Sequence, residues 1–146
     1  MAITGRARPP LWFWVVGILL LLWGLAGCAA CVQQFRLGAE AMGPATDYDR
    51  ALYASLPAWY NWVYAMATFG GLLGSVLLLA RSRTARLLYI VSLVAVVVQF
   101  GWLFATSDII AQKGAATVLP FPIVIALVAL FEVWFAGFAA RRGWIS

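Results

Sequence analysis

Leu22 to Cys31, "LWGLAGCAAC", supports three incompatible readings, and the choice among them decides how many helices the folded chain keeps. Leu25-Ala26-Gly27-Cys28 fits the pattern at which bacteria cleave and lipidate a lipoprotein, which would discard everything before Cys28. Cys28 and Cys31 also form a C-x-x-C pair, whose i, i+3 spacing puts both thiols on one helix face, where one could attack a disulfide and the other resolve it. The same residues are also the late part of an apolar run from Pro10 to Gln33, long enough to cross a bilayer.

The residues beyond Cys28 argue against processing. Ala29 to Phe35 stays largely apolar where a lipoprotein starts a polar tether, and three more apolar runs follow, so a retained first helix is expected. The four runs are approximately 10–33, 58–80, 87–107 and 119–140. Lipid offers no partner to free backbone N–H and C=O groups, and the runs lack the alternation of barrel strands, so each must be a helix. With 65% of its 146 residues apolar and 10% charged, the chain reads as one transmembrane domain, 1–146, an all-α four-helix bundle.

The basic residues set the expected orientation. Arg6, Arg8, Arg81, Arg83, Arg86, Arg141 and Arg142, seven of the ten, fall on one side with no acid beside them. Arg36, Arg50 and Lys113 fall on the other, together with Glu40, Asp47, Asp49 and Asp108. The positive-inside bias therefore puts both termini in the cytoplasm. The net charge of +5 is then a topology signal and not a nucleic-acid footprint. Trp12, Trp14, Tyr89 and Trp144 are expected in an inner aromatic belt, and Trp59, Tyr60, Trp62 and Trp102 in an outer one. Trp23, near mid-membrane, should turn its indole N–H toward an acceptor inside the bundle.

Prolines mark helix starts: Pro9 and Pro10 the first, Pro57 the second, Pro120 and Pro122 the fourth. The outer loop 34–57 contains a candidate short helix, 47–56, capped by Asp47, whose Tyr48, Leu52 and Leu56 share a face. That helix could lie along the bilayer surface, or the segment could be an ordered loop. Gln33, Gln34 and Asn61 read as solvated helix ends, and Asp108 as a wet loop residue.

Small residues recur at spacings that let helix backbones approach. Gly17, Gly24 and Gly27 mark such a face on the first run, next to Cys28 and Cys31, and Ala67, Gly70, Gly71, Gly74 and Ser75 mark another on the second. Their partner could be a helix of the same chain or of a second copy. In this setting Cys28 and Cys31 are expected to pack as small hydrophobes, because the chain has only two cysteines and no histidine to lower a thiol pKa or to ligate haem or zinc.

Glu132 is the one acid inside a run. A charged group near the bilayer midplane costs roughly 2.5–3.5 kcal/mol on insertion scales, so it should be protonated, paired or hydrated inside the bundle. On the third run Ser92, Gln99 and Thr106 repeat by seven and form a polar line expected to face it, with Tyr64, Thr68 and Trp23 as further neighbours. Glu132 then either engages a proton or solute, or hydrogen-bonds two helices together at a gain of about 1 kcal/mol or less.

The segments "LWFWVVGILLLLWGLAG", "LPAWYNWVYAMATFGGLLGSVLLLAR", the Gln of "VVVQFGWLFATSD" and the closing "FEVWFAGFAARRGW" resemble a group of small bacterial four-helix inner-membrane proteins labelled hypothetical or, loosely, sugar transporters. The resemblance covers nearly the whole chain and rests on packing-type motifs, with no catalytic signature. It implies a small integral component of a bacterial inner membrane, oligomeric or accessory to a larger complex. From the residues themselves, with no histidine, no nucleophile–base pair and no basic stripe, no enzymatic activity, cofactor, metal or nucleic-acid partner is expected. Small-solute or proton-coupled transport through Glu132 is the alternative, and a quinone-linked thiol oxidoreductase using Cys28 and Cys31 a second.

Overall fold

The computed structural model describes residues 8–42 and 44–146, so Arg6 lies outside the described residues. Among the described residues the chain is helical with no strand. The helices are α1 (Leu11–Leu37), α2 (Asp47–Ser55), α3 (Ala58–Leu79), α4 (Thr84–Thr106), α5 (Ile109–Lys113), α6 (Ala115–Val118) and α7 (Pro120–Arg141), with a 3₁₀ turn at Gly38–Met42. Four of them, α1, α3, α4 and α7, are long and apolar enough to cross a membrane. They are the four expected from the sequence, although α1 runs on past Gln33 and α4 begins before Leu87. Pro10 and Pro57 sit at the N-caps of α1 and α3, and Pro120 opens α7, where a missing N–H breaks no helical bond.

Helix α2 exists, but Thr46 and not Asp47 is its cap. The Thr46 hydroxyl accepts from the Asp49 N–H at 3.1 Å and the Asp49 carboxylate accepts from the Thr46 N–H at 3.0 Å, a reciprocal capping box. The short helices α5 and α6 were not anticipated, since five and four residues are too few to carry a periodic signal.

The long helices pack in a row: α1 against α3, α3 against α4, and α4 against α7. The glycine faces make the first two seams. A Cβ added at Gly24 would come within 3.0 Å of the Leu72 Cα, backbone that cannot turn aside, so Gly24 lets α1 approach α3; one at Gly17 would meet a Leu79 methyl at 2.6 Å, which a side-chain rotation can relieve. Gly27 faces Thr68, and across the next seam Gly71 faces Ser92 while Gly74 lies under the Tyr89 ring, 2.7 Å from a hypothetical Cβ. Gly70 also faces Ser92 in ordinary contact, and Ala67 and Ser75 are buried. These small-residue faces are thus occupied by helices of the same chain. The α3–α4 seam is pinned by a Ser75–Tyr89 hydroxyl pair at 2.7 Å and by the Ser92 hydroxyl donating to the Ala67 carbonyl at 2.6 Å.

At one end the row is closed by aromatic rings. Trp12 and Phe13 of α1 meet Phe135 of α7 at ring centroid distances of 5.8 and 5.9 Å, and Trp144 of the tail inserts against Trp12 at 5.1 Å. The start of α1 and the tail after α7 therefore share one end of the bundle. Two Schellman motifs shape that end. After α3, Ser82 N–H reaches Leu77 O with Arg81 at φ 64°, and after α7, Trp144 N–H reaches Ala139 O with Gly143 at φ 75°. Left-handed backbone is unfavourable for arginine, and the tail holds it: Arg81 Nε donates to Trp144 O at 2.7 Å, and Ser146 N–H donates to Arg81 O at 3.0 Å.

Several expected belt residues are instead interior. Trp144 and Tyr89 belong to the aromatic core at this end, and Tyr60 is buried at the other. Trp12, Trp59, Trp62 and Trp102 remain exposed. A ring goes inside where a neighbouring glycine or turn leaves room for it, which single-sequence position does not reveal.

Candidate functional site

Between the ends, α1 and α7 diverge and leave a cavity of about 880 Å³ walled by all four long helices. Its size falls in the range of ligand pockets. The back wall is made by the α3 and α4 seams just described, whose small residues hold the two helices close and leave the space on the α1 and α7 sides.

Glu132 lies at the inner end. It is 3% exposed and lines the cavity, and its Oε2 has no hydrogen-bond partner among the described residues. The sequence expectation was that the α4 polar line would hold this acid. The line is only partly so arranged. Ser92 and Gln99 are buried and line the same cavity, but the Ser92 proton goes to Ala67 O and not to Glu132. Gln99 turns toward the Tyr60 hydroxyl. Thr106 is outside the cluster: it is exposed and donates to Trp102 O of its own helix at 2.6 Å. A hydroxyl that can bond the carbonyl one turn earlier needs no tertiary partner, and the same local bond takes Thr68, whose Oγ1 donates to Tyr64 O at 3.2 Å. Tyr64 and Thr68 do line the cavity. Trp23 lines it too, but stays 37% exposed at its edge and is not enclosed in the bundle.

The cysteines sit behind the α1 wall. Cys28 and Cys31 are buried with unbridged thiols, and both face the Thr68 hydroxyl. Among the described residues no group of three His, Cys, Asp or Glu gathers to hold a metal.

The opposite end of the cavity is roofed. Leu52 and Tyr53 of α2 and Leu56 at its C-cap face the cavity, so the apolar face of α2 turns inward over the mouth. Gln34 and Asn61, taken as solvated helix ends, instead bond each other: Gln34 Nε2 donates to Asn61 Oδ1 at 2.7 Å, and Asn61 Nδ2 donates to the Tyr53 hydroxyl at 2.8 Å. This network ties α1, α3 and the roof together. Asp108, expected to be merely wet, accepts from the Tyr48 hydroxyl at 2.8 Å and from Gln112 at 3.1 Å. The Lys113 ammonium pairs with Asp49. Together these contacts latch α2 to the segment between α4 and α7. The latch also shifts its own groups. The Lys113 bond, then the Thr46 N–H, hold Asp49 below the ordinary carboxylate range, and the Tyr48 bond, then Gln112, do the same for Asp108. Tyr48 is pushed up to about 12 by partial desolvation and then by the hydrogen bond it donates to Asp108. Gln34, Asn61 and Tyr53 were visible in the sequence as polar residues at helix ends, but their pairing across 27 positions was not.

Compared with family models, with curated proteins and with solved structures, the chain matches none of them. The sugar-transporter-like resemblance of its hydrophobic motifs gains no support there, and the functional reading rests on the cavity itself.

Proposed function

We propose that this chain is a multi-pass membrane protein that binds a small solute in the cavity between α1 and α7, with Glu132 as the group that engages it, and that this binding serves transport. The observation that carries the reading is that Glu132 borders a space large enough for a ligand while its buried Oε2 has no hydrogen-bond partner among the described residues. An acid retained only to join two helices should be bonded to the second helix, because an unmet buried acceptor costs about 1–3 kcal/mol. Embedding is supported by the outer surface, where Leu19, Leu22, Val97, Leu127 and Trp134 are all more than half exposed, as suits lipid and not water. Both termini are assigned to the cytoplasm because Arg8, Arg81, Arg83, Arg86, Arg141 and Arg142 flank the long helices at the end bearing the aromatic closure. The bacterial inner membrane is the setting that the sequence resemblance implies.

The reading is tested by purifying the protein in mild detergent and identifying small molecules released from it by native mass spectrometry. A bound species is expected from the wild type and should be lost from Ala30→Trp, which fills the cavity from the α1 wall. Equal release from both proteins would place the bound molecule elsewhere and defeat the reading.

A further inference from the structure

The chemistry of the lining narrows the ligand beyond "small solute". Resting on the binding reading above, we propose that the cavity is selective for lipophilic organic cations: amphipathic molecules with a positively charged centre on an apolar or aromatic body. Three features of the cavity point to this class.

The first is charge. Asp49, Lys113 and Glu132 are the ionisable carboxylates and amines on the lining. Asp49 and Lys113 are paired with each other at the roof, so the deep part of the cavity presents one acid and no base. An anionic ligand would find no base in the deep cavity to offset its charge. A cation would supply the counter-charge that the protein's side chains do not, and a desolvated pair of this kind is strongly favoured over either charge alone.

The second is the wall. Trp23, Tyr60, Tyr64, Phe100, Phe104 and Phe121 contribute rings to the lining. Aromatic faces attract cations through the ring quadrupole, most strongly where water is excluded, and they also accept apolar bodies.

The third is the shortage of free polar partners. A polyol such as a sugar needs many hydrogen bonds on all sides. Two of the hydroxyls here, Ser92 and Thr68, already donate to backbone carbonyls, which leaves the Gln99 amide and the Tyr60 and Tyr64 hydroxyls as the polar groups beside Glu132 in the deep lining. A sugar in this cavity would leave most of its hydroxyls unmet, so the geometry disfavours the solute suggested by the transporter label.

The two ions tetraphenylphosphonium and tetraphenylborate are nearly equal in size and shape and opposite in charge. Their binding to the wild-type protein in dodecylmaltoside, measured by equilibrium dialysis with protein-free micelles subtracted, separates charge selection from greasiness. Saturable binding of tetraphenylphosphonium is expected, with tetraphenylborate at least about tenfold weaker, and Glu132→Gln should lower the phosphonium affinity by about tenfold or more. Glu132→Asp should keep the preference for the cation. If both ions bind alike, or Glu132→Gln leaves the phosphonium affinity unchanged, cation selectivity is overturned while solute binding stands. If neither ion binds and Ala30→Trp also leaves the released small molecules unchanged, both proposals fall together. Should Glu132→Gln not assemble, the ratio between the two ions on the wild type decides the matter alone.

Discussion

Replacing Glu132 by methionine should make the protein more stable. The acid lies just past the midpoint of α7, 3% exposed, with Oε2 unbonded. Burying an acceptor without a partner costs about 1–3 kcal/mol, and methionine follows a similar course through the same space without a polar atom. The expected gain for Glu132→Met is therefore about 1–3 kcal/mol, or about 3–9 °C in Tm at roughly 3 °C per kcal/mol for a chain of this size. Glu132→Gln should stay near the wild type, since an amide meets the same unsatisfying surroundings. Thermal unfolding followed by tryptophan fluorescence in dodecylmaltoside, with SDS titration as a second measure, reads both variants. A loss of 1 kcal/mol or more in Glu132→Met would refute the reasoning, because it would mean that the carboxyl group holds the helices together after all. A site kept at the expense of stability is what a ligand-binding role requires, whereas a structural role predicts the opposite sign.

The seams and the roof give further tests. Gly74→Ala should destabilise by about 1–3 kcal/mol by SDS titration, because the new Cβ would sit 2.7 Å from a Tyr89 ring fixed by full burial and by Ser75, whereas Gly71→Ala, 3.4 Å from the Ser92 hydroxyl, should be neutral or slightly stabilising. Asn61→Leu should cost about 0.6–1.7 kcal/mol and raise hydrogen exchange in α2, since it cuts the roof's tie to both α1 and α3. The latch should fail in acid. Asp49 and Asp108 have folded pKa values below the ordinary 3.8, so their contribution is fully present above that value and is lost as pH falls through the lower folded ones. Spin labels at Ala54 and Ala116 should show a distance distribution that stays narrow down to the ordinary carboxylate range and broadens only below it, and Lys113→Gln should be broad already at about pH 6. A narrow distribution in Lys113→Gln at that pH would exclude the ion pair as the latch.

The fold was largely legible because a long apolar run has one stable form in an apolar solvent, and because glycine spacing marks where backbones can meet. Gly24 and Gly74 were visible as contact residues from sequence alone, and only their partners, Leu72 and Tyr89, required the structure. The site was legible by half. Glu132, Gln99, Ser92, Tyr64 and Thr68, grouped from the sequence because a lone acid in an apolar run has to point inward, all line one cavity. Their bonding was not foreseen. Serine and threonine in a helix choose between a neighbouring helix and their own preceding turn, and that choice depends on seam geometry: Ser92 crosses to Ala67, while Thr106 bonds back to Trp102. The roof escaped prediction because Gln34, Asn61 and Tyr53 are distant in the chain, and because α2 is amphipathic in a way that suits a lipid surface and a cavity mouth equally well.

The row order of the helices also divides the contacts between them. Helix α3 meets α1 and α4 along glycine faces on both of its sides, whereas α7 has α4 as its one long-helix neighbour along the row and reaches α1 only through the rings around Phe135. Glu132, one turn from those rings, is thus carried by a helix at the end of the row, and its place depends on that single flank and on the ring cluster.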